Sequence, residues 1–415
     1  MPRTVSIIFH LWLGLVCWDG KHAASIAIAA EIPAVDTGRQ PKAIVHIGPP
    51  KSGTTYMQSV LASIKVAKMM SEENMYWPLM PNEPLNAKGL ADWAISMASG
   101  TNYSKYSTLA RPKQEVNAFI RKSFVLKRDI IISSENLVWL PKTATVELRD
   151  SVFKGFNVTV VIAYREWISH ALSLYFEKER ARAKAGVSVR LFSTFLMHIM
   201  DEQPRDETIL KSIAGAIDVF GADHVKVIDY DGTLAAGKDV AYALICEIGG
   251  VLCDKWHTLP KHESMNIHSS LVIEQLFAAF LHYVHALNIR DHCTFCTARD
   301  DQLRKIFHRA YEHSSGHPSV PLIHTSLSLL VPYSNSIDAQ FREQFEAITI
   351  NGNATANREI AQSHVRTSEL AVDTIWSSDA WLAWMSQLVD EARRQNALCC
   401  GINNLAGTHH SPTVN

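Results

Sequence analysis

The sequence has no excess charge of either sign, because its 40 Lys and Arg residues nearly equal its 41 Asp and Glu residues and leave a formal net charge of −1. This balance argues against a protein that binds nucleic acid over a broad basic surface. Hydrophobic residues make up 47% of the 415 positions. The chain therefore has enough apolar material for one large domain or two smaller ones.

Cysteine is scarce, with 7 residues in the chain, and Cys17 belongs to an apolar amino-terminal segment. A zinc site at Cys293 and Cys296 is not expected, because no second C-x-x-C or histidine pair follows at zinc-finger spacing. We also find no carboxylate cluster in the sequence that would hold a metal, so none is predicted. Six cysteines remain that can form disulfides, with a pairing that the sequence leaves open: Cys246, Cys253, Cys293, Cys296, Cys399 and Cys400.

The stretch Ala43 to Leu61 lacks the lysine that a nucleoside triphosphatase loop requires after its second glycine. Gly48 and Gly53 have the right spacing, but Thr54 stands in the lysine position and Lys51 lies inside the loop. The residues before Gly48 predict a buried strand, and those after Gly53 predict a helix with one apolar face. A strand, a glycine-containing turn and a helix can hold a phosphate, because free N–H groups converge there and the helix dipole favours an anion.

The amino-terminal segment 1–30 has a basic residue, a short apolar run and an alanine-rich exit. This order is typical of a signal peptide. A signal anchor is the alternative, although the run falls short of the roughly 20 residues that span a bilayer. Three triplets have the form of glycosylation acceptors, of which we favour the first and the last: Asn102-Tyr103-Ser104, Asn157-Val158-Thr159 and Asn353-Ala354-Thr355.

Apolar, β-branched runs alternate with helical patterns through the middle of the chain. This alternation predicts an α/β protein with three layers, α/β/α, around a central parallel sheet. Predicted strands cover 43–47, 74–78, 129–133, 158–163 and 225–228, and predicted helices cover 113–126, 168–185, 207–220, 240–249, 268–287, 300–313 and 337–348. The tryptophan-rich stretch 376–389 has helical spacing and is interpreted as core packing.

Composition predicts the domain boundaries. We expect a targeting segment at 1–30, a linker at 31–42, a catalytic domain at 43–350, a helical extension at 351–405 and a disordered tail at 406–415. Residues 80–111 form a long, partly irregular insertion of the kind that carries substrate contacts.

Polar residues follow two of the predicted strands. Glu135 comes just after the strand 129–133, and Arg165 follows the strand 158–163. Because ligands of open parallel sheets bind beyond the carboxyl ends of the strands, both side chains are candidates for a site there. A carboxylate at this place can act as a general base, and an arginine can hold a phosphate through two parallel hydrogen bonds.

The string Pro50-Lys51-Ser52-Gly53-Thr54-Thr55 resembles the 5′-phosphosulfate loop of sulfotransferases that use 3′-phosphoadenosine 5′-phosphosulfate. In that family an arginine at a strand end and a serine eight residues later bind the 3′-phosphate, and Arg165 and Ser173 reproduce this spacing. The resemblance covers about residues 44–316. It implies a P-loop-like sulfotransferase fold, transfer of a sulfuryl group from this co-substrate to an acceptor hydroxyl, and no metal.

Within this resemblance, Lys51 corresponds to the group that neutralises the leaving oxygen, and Glu135 resembles the base of lumenal members. His46 and His170 are alternative bases, since cytosolic members use a histidine. The chain lacks the Arg-Lys-Gly-x-x-Gly element of cytosolic members, which favours a lumenal enzyme.

The resemblance then implies a glycan or protein acceptor in the Golgi lumen or membrane, with secretion as an alternative. A carbohydrate or glycoconjugate is the expected acceptor, and a protein tyrosine or a small alcohol is the alternative. Two rival functions are a P-loop phosphotransferase and a non-catalytic lumenal nucleotide-binding protein. The first lacks its loop lysine, and the second would have no need of Lys51, Glu135 or Arg165.

Overall fold

This computed structural model describes residues 39–78, 90–91, 94–95, 98, 110–202, 207–259, 270–291, 293–294, 300–313, 317–328, 330–364, 366–395 and 399–400. The predicted targeting segment, most of the linker, the tail, Asn102 and most of the 80–111 insertion lie outside these residues.

A six-stranded parallel sheet forms the centre of the protein. Its strands are β1 (Lys42–His46), β2 (Met75–Tyr76), β3 (Asp129–Ser133), β4 (Asn157–Tyr164), β5 (Val225–Asp229) and β8 (Thr349–Ile350), in the order β2-β3-β1-β4-β5-β8. The register pairs His46 with Ser133 and with Val161. Two small antiparallel pairs lie apart from it: β6 (Cys293–Thr294) with β10 (Cys399–Cys400), and β7 (Leu322–Ser326) with β9 (Arg366–Leu370).

Helices follow most of the strands. Their bounds are α1 Thr54–Leu61, α2 Ile64–Glu72, α3 Ala110–Val125, α4 Lys142–Glu147, α5 Trp167–Lys184, α6 Phe192–Glu202, α7 Glu207–Phe220, α8 Tyr230–Ala235, α9 Val240–Tyr242, α10 Leu271–Asp291, α11 Asp300–His313, α12 Leu330–Phe345, α13 Ala354–Ser363, α14 Val372–Trp376 and α15 Asp379–Arg394. A 3₁₀ turn covers Glu135–Trp139, and π-helical turns cover Leu148–Val152 and Ala243–Ile248.

Both faces of the sheet are covered, which gives the predicted three-layer α/β/α architecture. Successive strand residues point to opposite faces. Val45 and Ile132 pack with α3, α7 and α12, whereas Ile44 and Ile131 pack with α1, α2 and the segment 240–252. The α/β class predicted from the sequence is therefore confirmed.

A second apolar core lies outside the sheet layers. It joins α10 and α11 to α14 and α15 and includes Trp381, Trp384 and Met385, all buried. The interpretation of the tryptophan-rich stretch as core packing is confirmed. Residues after 350 therefore pack against α10 and α11 of the predicted catalytic domain.

Several segments differ from the sequence prediction, among them α6, β7 and β9, which the predicted ranges omit. The stretch after β5 was not among the predicted helices but forms α8, because the Asp229 carboxylate caps it by accepting from Gly232 N at 2.9 Å. The predicted helix 337–348 begins earlier, at Leu330, and ends at Phe345. The predicted strands did not include β8, which is two residues long.

One disulfide joins Cys246 to Cys253, across the π-helical turn and the segment that follows it. The backbone register of β6 and β10 places Cys293 opposite Cys400. The sequence analysis had left the disulfide pairing of the six cysteines open. No described helix is both long and apolar enough to cross a lipid bilayer.

A buried ionic network ties the last part of the domain to the end of β5. Asp229 is fully buried, and its Oδ2 accepts from Arg342 Nη2 and from Asn353 N, each at 3.1 Å. Burial raises the pKa of Asp229, while these donors oppose the rise. Arg342 also donates to Asp338 at 3.0 Å. The network thus fixes α12 and α13 against the sheet edge that faces the candidate site.

We expect Arg342→Met to destabilise the protein by about 3–5 kcal/mol, because it leaves the buried Asp229 carboxylate without its cation. The matched control is Glu346→Gln, which removes only the exposed partner of Arg342, at 3.3 Å, and should cost at most about 1 kcal/mol. Urea unfolding of both variants measures the difference. Equal losses would contradict a structural role for the buried pair.

Candidate active site

The loop between β1 and α1 has the shape of an anion cradle. Two of its residues have left-handed backbone conformations, Lys51 with φ 72° and Gly53 with φ 87°. Ser52 closes the turn by donating to Pro49 O from its N–H at 3.3 Å and from Oγ at 2.8 Å. Glycine is needed at position 53, since a Cβ there would lie 2.7 Å from the Tyr230 ring. The non-glycine Lys51 costs on the order of 1 kcal/mol in this conformation and needs support from its surroundings.

That support comes from β4 and α5. Arg165 Nη1 donates to Lys51 O at 2.9 Å, and His170 Nε2 lies 2.7 Å from Pro50 O. The Lys51 ammonium pairs with the Glu177 carboxylate at 2.8 Å. These contacts hold the Pro50 and Lys51 carbonyl groups toward α5, and the N–H groups of Gly53, Thr54 and Thr55 are left for another partner.

The amino end of α1 is open. Gly53 precedes the helix, and no side chain of the described chain caps it. The first N–H groups of a helix have no acceptor within the helix, and its dipole places partial positive charge there. This end of α1 is therefore ready to bind an anion.

Arg165 lies at the carboxyl end of β4 with its guanidinium fixed on two sides. Its Nε donates to Ser169 Oγ at 3.0 Å, and the guanidinium carbon lies 4.8 Å from the centre of the Tyr230 ring. Together with the bond to Lys51 O, these contacts use Nε and Nη1. Nη2 makes no hydrogen bond to any described residue and can bind a ligand.

Ser173 lies on the loop-facing side of α5. His170 and Glu177 both contact the loop, and Ser173 is three residues after the first and four before the second. Residues at this spacing share one face of a helix. The structure therefore places Arg165, Ser173 and Lys51 around the same loop, although the sequence separates the first from the last by more than 100 positions.

Glu135 begins the 3₁₀ turn after β3 and is partly exposed. Strands β1 and β3 are parallel neighbours, so the turn with Glu135 and the loop with Lys51 leave the same edge of the sheet. Its role as a base stays a prediction.

The two histidines proposed as alternative bases differ in their surroundings. His46 is fully buried beneath the loop, and its Nδ1 lies 2.9 Å from Ser133 Oγ. His170 is partly exposed and contacts the carbonyl of Pro50. The pKa of each ring is lowered to about 4, by burial for His46 and by burial together with the charges of Arg165 and Lys51 for His170. Both rings are therefore neutral at pH 7.

Two buried carboxylates near Arg165 were not recognised from the sequence. Asp231 accepts from Glu166 N at 2.7 Å, and burial raises its pKa to about 7, against the opposing effect of Arg165. Glu166 caps α5 through Ile168 N and Ser169 N and also accepts from the Ser334 hydroxyl. They place two buried carboxyl groups beside the Arg165 guanidinium. The sequence signal was Glu166 directly before the helix, which is the usual place for an acidic N-cap.

Two further neighbours were also missed. His364, at the end of α13, lies close enough to Arg165 that the guanidinium adds to the effect of burial in lowering its pKa. Glu177, which was not singled out in the sequence, pairs with Lys51. Its spacing from His170 along α5 could have indicated this. Among the described residues, no group of three or more His, Cys, Asp or Glu side chains could hold a metal ion.

Comparison with known proteins finds no family model and no curated protein that match the chain. Among solved structures, the crystal structure of a sulfotransferase from Alicyclobacillus acidocaldarius is similar, with 15% sequence identity and a TM-score of 0.30. The match covers 51% of this chain and 82% of that one. Similarity this low establishes no shared function, and the fold class stated above comes from the sheet itself.

We expect Gly48→Ala to distort the loop, because a methyl group there would lie 2.1 Å from Thr54 Oγ1. Forcing the Thr54 side chain aside should cost about 1–3 kcal/mol of unfolding free energy. The control is Gly215→Ala on α7, where an added Cβ meets nothing within 4 Å and should stabilise by roughly 0.5–1 kcal/mol. Urea titration compares them, and a Gly48 variant as stable as the wild type would contradict the described loop geometry.

Proposed function

We propose that this protein is a sulfotransferase that moves a sulfuryl group from 3′-phosphoadenosine 5′-phosphosulfate to an acceptor hydroxyl. The observation that carries the proposal is the geometry of the loop before α1. Arg165 and His170 contact the carbonyl groups of this loop, and the amino end of α1 has no capping side chain at Gly53. A loop with this sequence and this support suits a phosphosulfate donor.

In the proposed complex, the 5′-phosphate binds at the loop. The backbone N–H groups of Gly53, Thr54 and Thr55 donate to it, while the Ser52 N–H closes the turn onto Pro49 O. The Ser52, Thr54 and Thr55 hydroxyls lie in the same turn. Pro50 stiffens the loop just before Lys51. Arg165 and Ser173 bind the 3′-phosphate, since Arg165 Nη2 is unused and Ser173 faces the loop. Charge-assisted bonds from arginine to phosphate are among the stronger hydrogen bonds in proteins.

The proposed reaction is an in-line displacement at sulfur. A bond forms between the acceptor oxygen and sulfur, the bond from sulfur to the bridging oxygen breaks, and the electron pair stays on the nucleotide phosphate. Lys51 neutralises the charge that develops on the bridging oxygen and gives up its contact with the Glu177 carboxylate, which lies 2.8 Å from its ammonium nitrogen in this structure. Glu135 accepts the proton of the acceptor hydroxyl. The reaction depends on positioning and charge, and the proposal needs no metal.

We further propose that the acceptor is a carbohydrate or glycoconjugate in the secretory pathway, in the Golgi lumen or membrane. The amino-terminal segment and the glycosylation triplets support this compartment, and the Cys246–Cys253 disulfide suits an oxidising one. The Asn353 side chain caps α13 by accepting from Ala356 N at 3.0 Å, which leaves its amide nitrogen as the group for modification. Tyrosine peptides and small alcohols are the alternative acceptors.

The proposal predicts that the purified protein binds 3′-phosphoadenosine 5′-phosphate without a divalent cation, because phosphate is held by N–H groups and arginine. Calorimetry with and without a chelator tests this. Arg165→Ala should weaken nucleotide binding by about 2–4 kcal/mol, and Arg121→Ala, which removes an exposed arginine on α3, should leave it unchanged. Binding that needs magnesium, or a preference for ATP, would instead support a phosphotransferase.

We also expect Glu135→Gln and Lys51→Ala to fail in distinguishable ways. Glu135→Gln keeps donor binding but should slow turnover by roughly 100-fold or more, because the proton acceptor is lost. Lys51→Ala should slow transfer and also weaken donor binding. An acceptor with a lower hydroxyl pKa needs less help from a base, so it should rescue only Glu135→Gln.

Turnover of panels of glycans, tyrosine peptides and small alcohols with radiolabelled donor gives these rates. Glu72→Gln, an exposed glutamate at the end of α2, is the matched control and should behave as the wild type. Near-normal turnover by Glu135→Gln would move the base assignment to a histidine, His170 or His46.

A further inference from the structure

Two polar atoms beneath the loop are buried and have no hydrogen-bond partner among the described residues: His46 Nε2 and Thr54 Oγ1. Both residues are fully buried. A buried donor or acceptor without a partner costs about 1–3 kcal/mol. Two such atoms at one place therefore indicate a site that a further hydrogen bond completes.

Gly48 lies between the two atoms. The position that a Cβ of Gly48 would occupy is 2.1 Å from Thr54 Oγ1 and 3.2 Å from His46 Nε2. The absence of a side chain at Gly48 therefore leaves room for the His46 ring and the Thr54 hydroxyl to approach each other. Thr54 is the first residue of α1, at the open end of the helix.

The hydrogen bond at His46 Nδ1 determines which ring nitrogen carries the proton. Gln58 Nε2 donates to Ser133 Oγ at 3.0 Å, and His46 Nδ1 lies 2.9 Å from the same oxygen. All three residues are buried. His46 Nδ1 is the acceptor within reach of the Ser133 hydroxyl proton, and a neutral histidine that accepts at Nδ1 carries its proton on Nε2. Burial keeps the ring neutral at pH 7.

We propose that His46 is a positioning residue: its Nε2–H donates to Thr54 Oγ1 when an anion binds, and thereby turns the Thr54 hydroxyl proton toward the 5′-phosphate. The Gln58–Ser133–His46 chain sets the tautomer that this requires. The inference rests on the proposed function, because it assigns the anion to the nucleotide phosphate. It also gives His46 a role that conflicts with that of a general base, since its Nε2 already carries a proton and its Nδ1 is occupied.

The test uses the full chain labelled with ¹⁵N at histidine, with the His46 resonances identified by their loss in His46→Gln. The ligand-free wild type should have the Nε2–H tautomer at pH 7, and 3′-phosphoadenosine 5′-phosphate should shift the Hε2 signal and slow its exchange with water. Ser133→Ala should mix the tautomers and weaken nucleotide binding by roughly 10-fold. Ser123→Ala, a buried serine on α3 across the sheet, should change neither.

His46→Leu should weaken nucleotide binding by roughly 10-fold or more, and His46→Gln, which keeps an N–H donor, should recover part of it. With the His46 signals assigned through His46→Gln, the wild-type spectra decide the matter even where His46→Leu or Ser133→Ala fails to fold. An Nδ1–H tautomer, or a His46 signal that ignores bound nucleotide, overturns the role of His46 and leaves the sulfotransferase proposal standing. If the nucleotide does not bind at all, the proposed function fails, and the phosphate-orienting role fails with it.

Discussion

A backbone loop that offers its N–H groups to an anion must have its carbonyl groups held elsewhere, and this constraint organises the site. Arg165 and His170 supply the hold from β4 and α5, at the carbonyls of Lys51 and Pro50. The contacts also compensate the left-handed conformation of Lys51. The loop is therefore shaped by residues more than 100 positions away, and its geometry depends on the packing of α5 against the sheet.

The position of the Arg165 guanidinium in turn depends on the side chains packed around it. The Tyr230 ring is stacked on its guanidinium, and Asp231 and Glu166 place buried carboxyl groups nearby. Asp229 and its partners hold α12 and α13 at the same edge of the sheet. The carboxyl ends of β4 and β5 thus form one connected polar layer, in which each charged group is held by another element of the fold.

Sequence patterns predicted the helices and strands whose signal lies within their own residues. The predicted bounds of β3, α7 and α11 agree with those of the structure, and the fully apolar strands correctly predicted a parallel sheet. Sequence prediction failed where contacts between distant parts of the chain determine the local structure. The Asp229 cap that starts α8 is part of a network with Arg342, and two-residue strands such as β8 have too few residues for a pattern. Candidate site residues were singled out where a motif is contiguous, as in the loop, and neighbours whose contacts cross the chain, such as His364, were missed.

The sheet has an order of assembly that follows from its topology. One of its edge strands, β8, is the last of the six sheet strands along the chain, and Asn353 and Asn357, which come shortly after it, both donate to Asp229 at the end of β5. During synthesis, β5 leaves the ribosome more than 100 residues before the strand that covers its edge. For that interval the nascent chain therefore exposes the unpaired edge of β5 and the Asp229 carboxylate to water, and an exposed strand edge of this kind can pair with other chains.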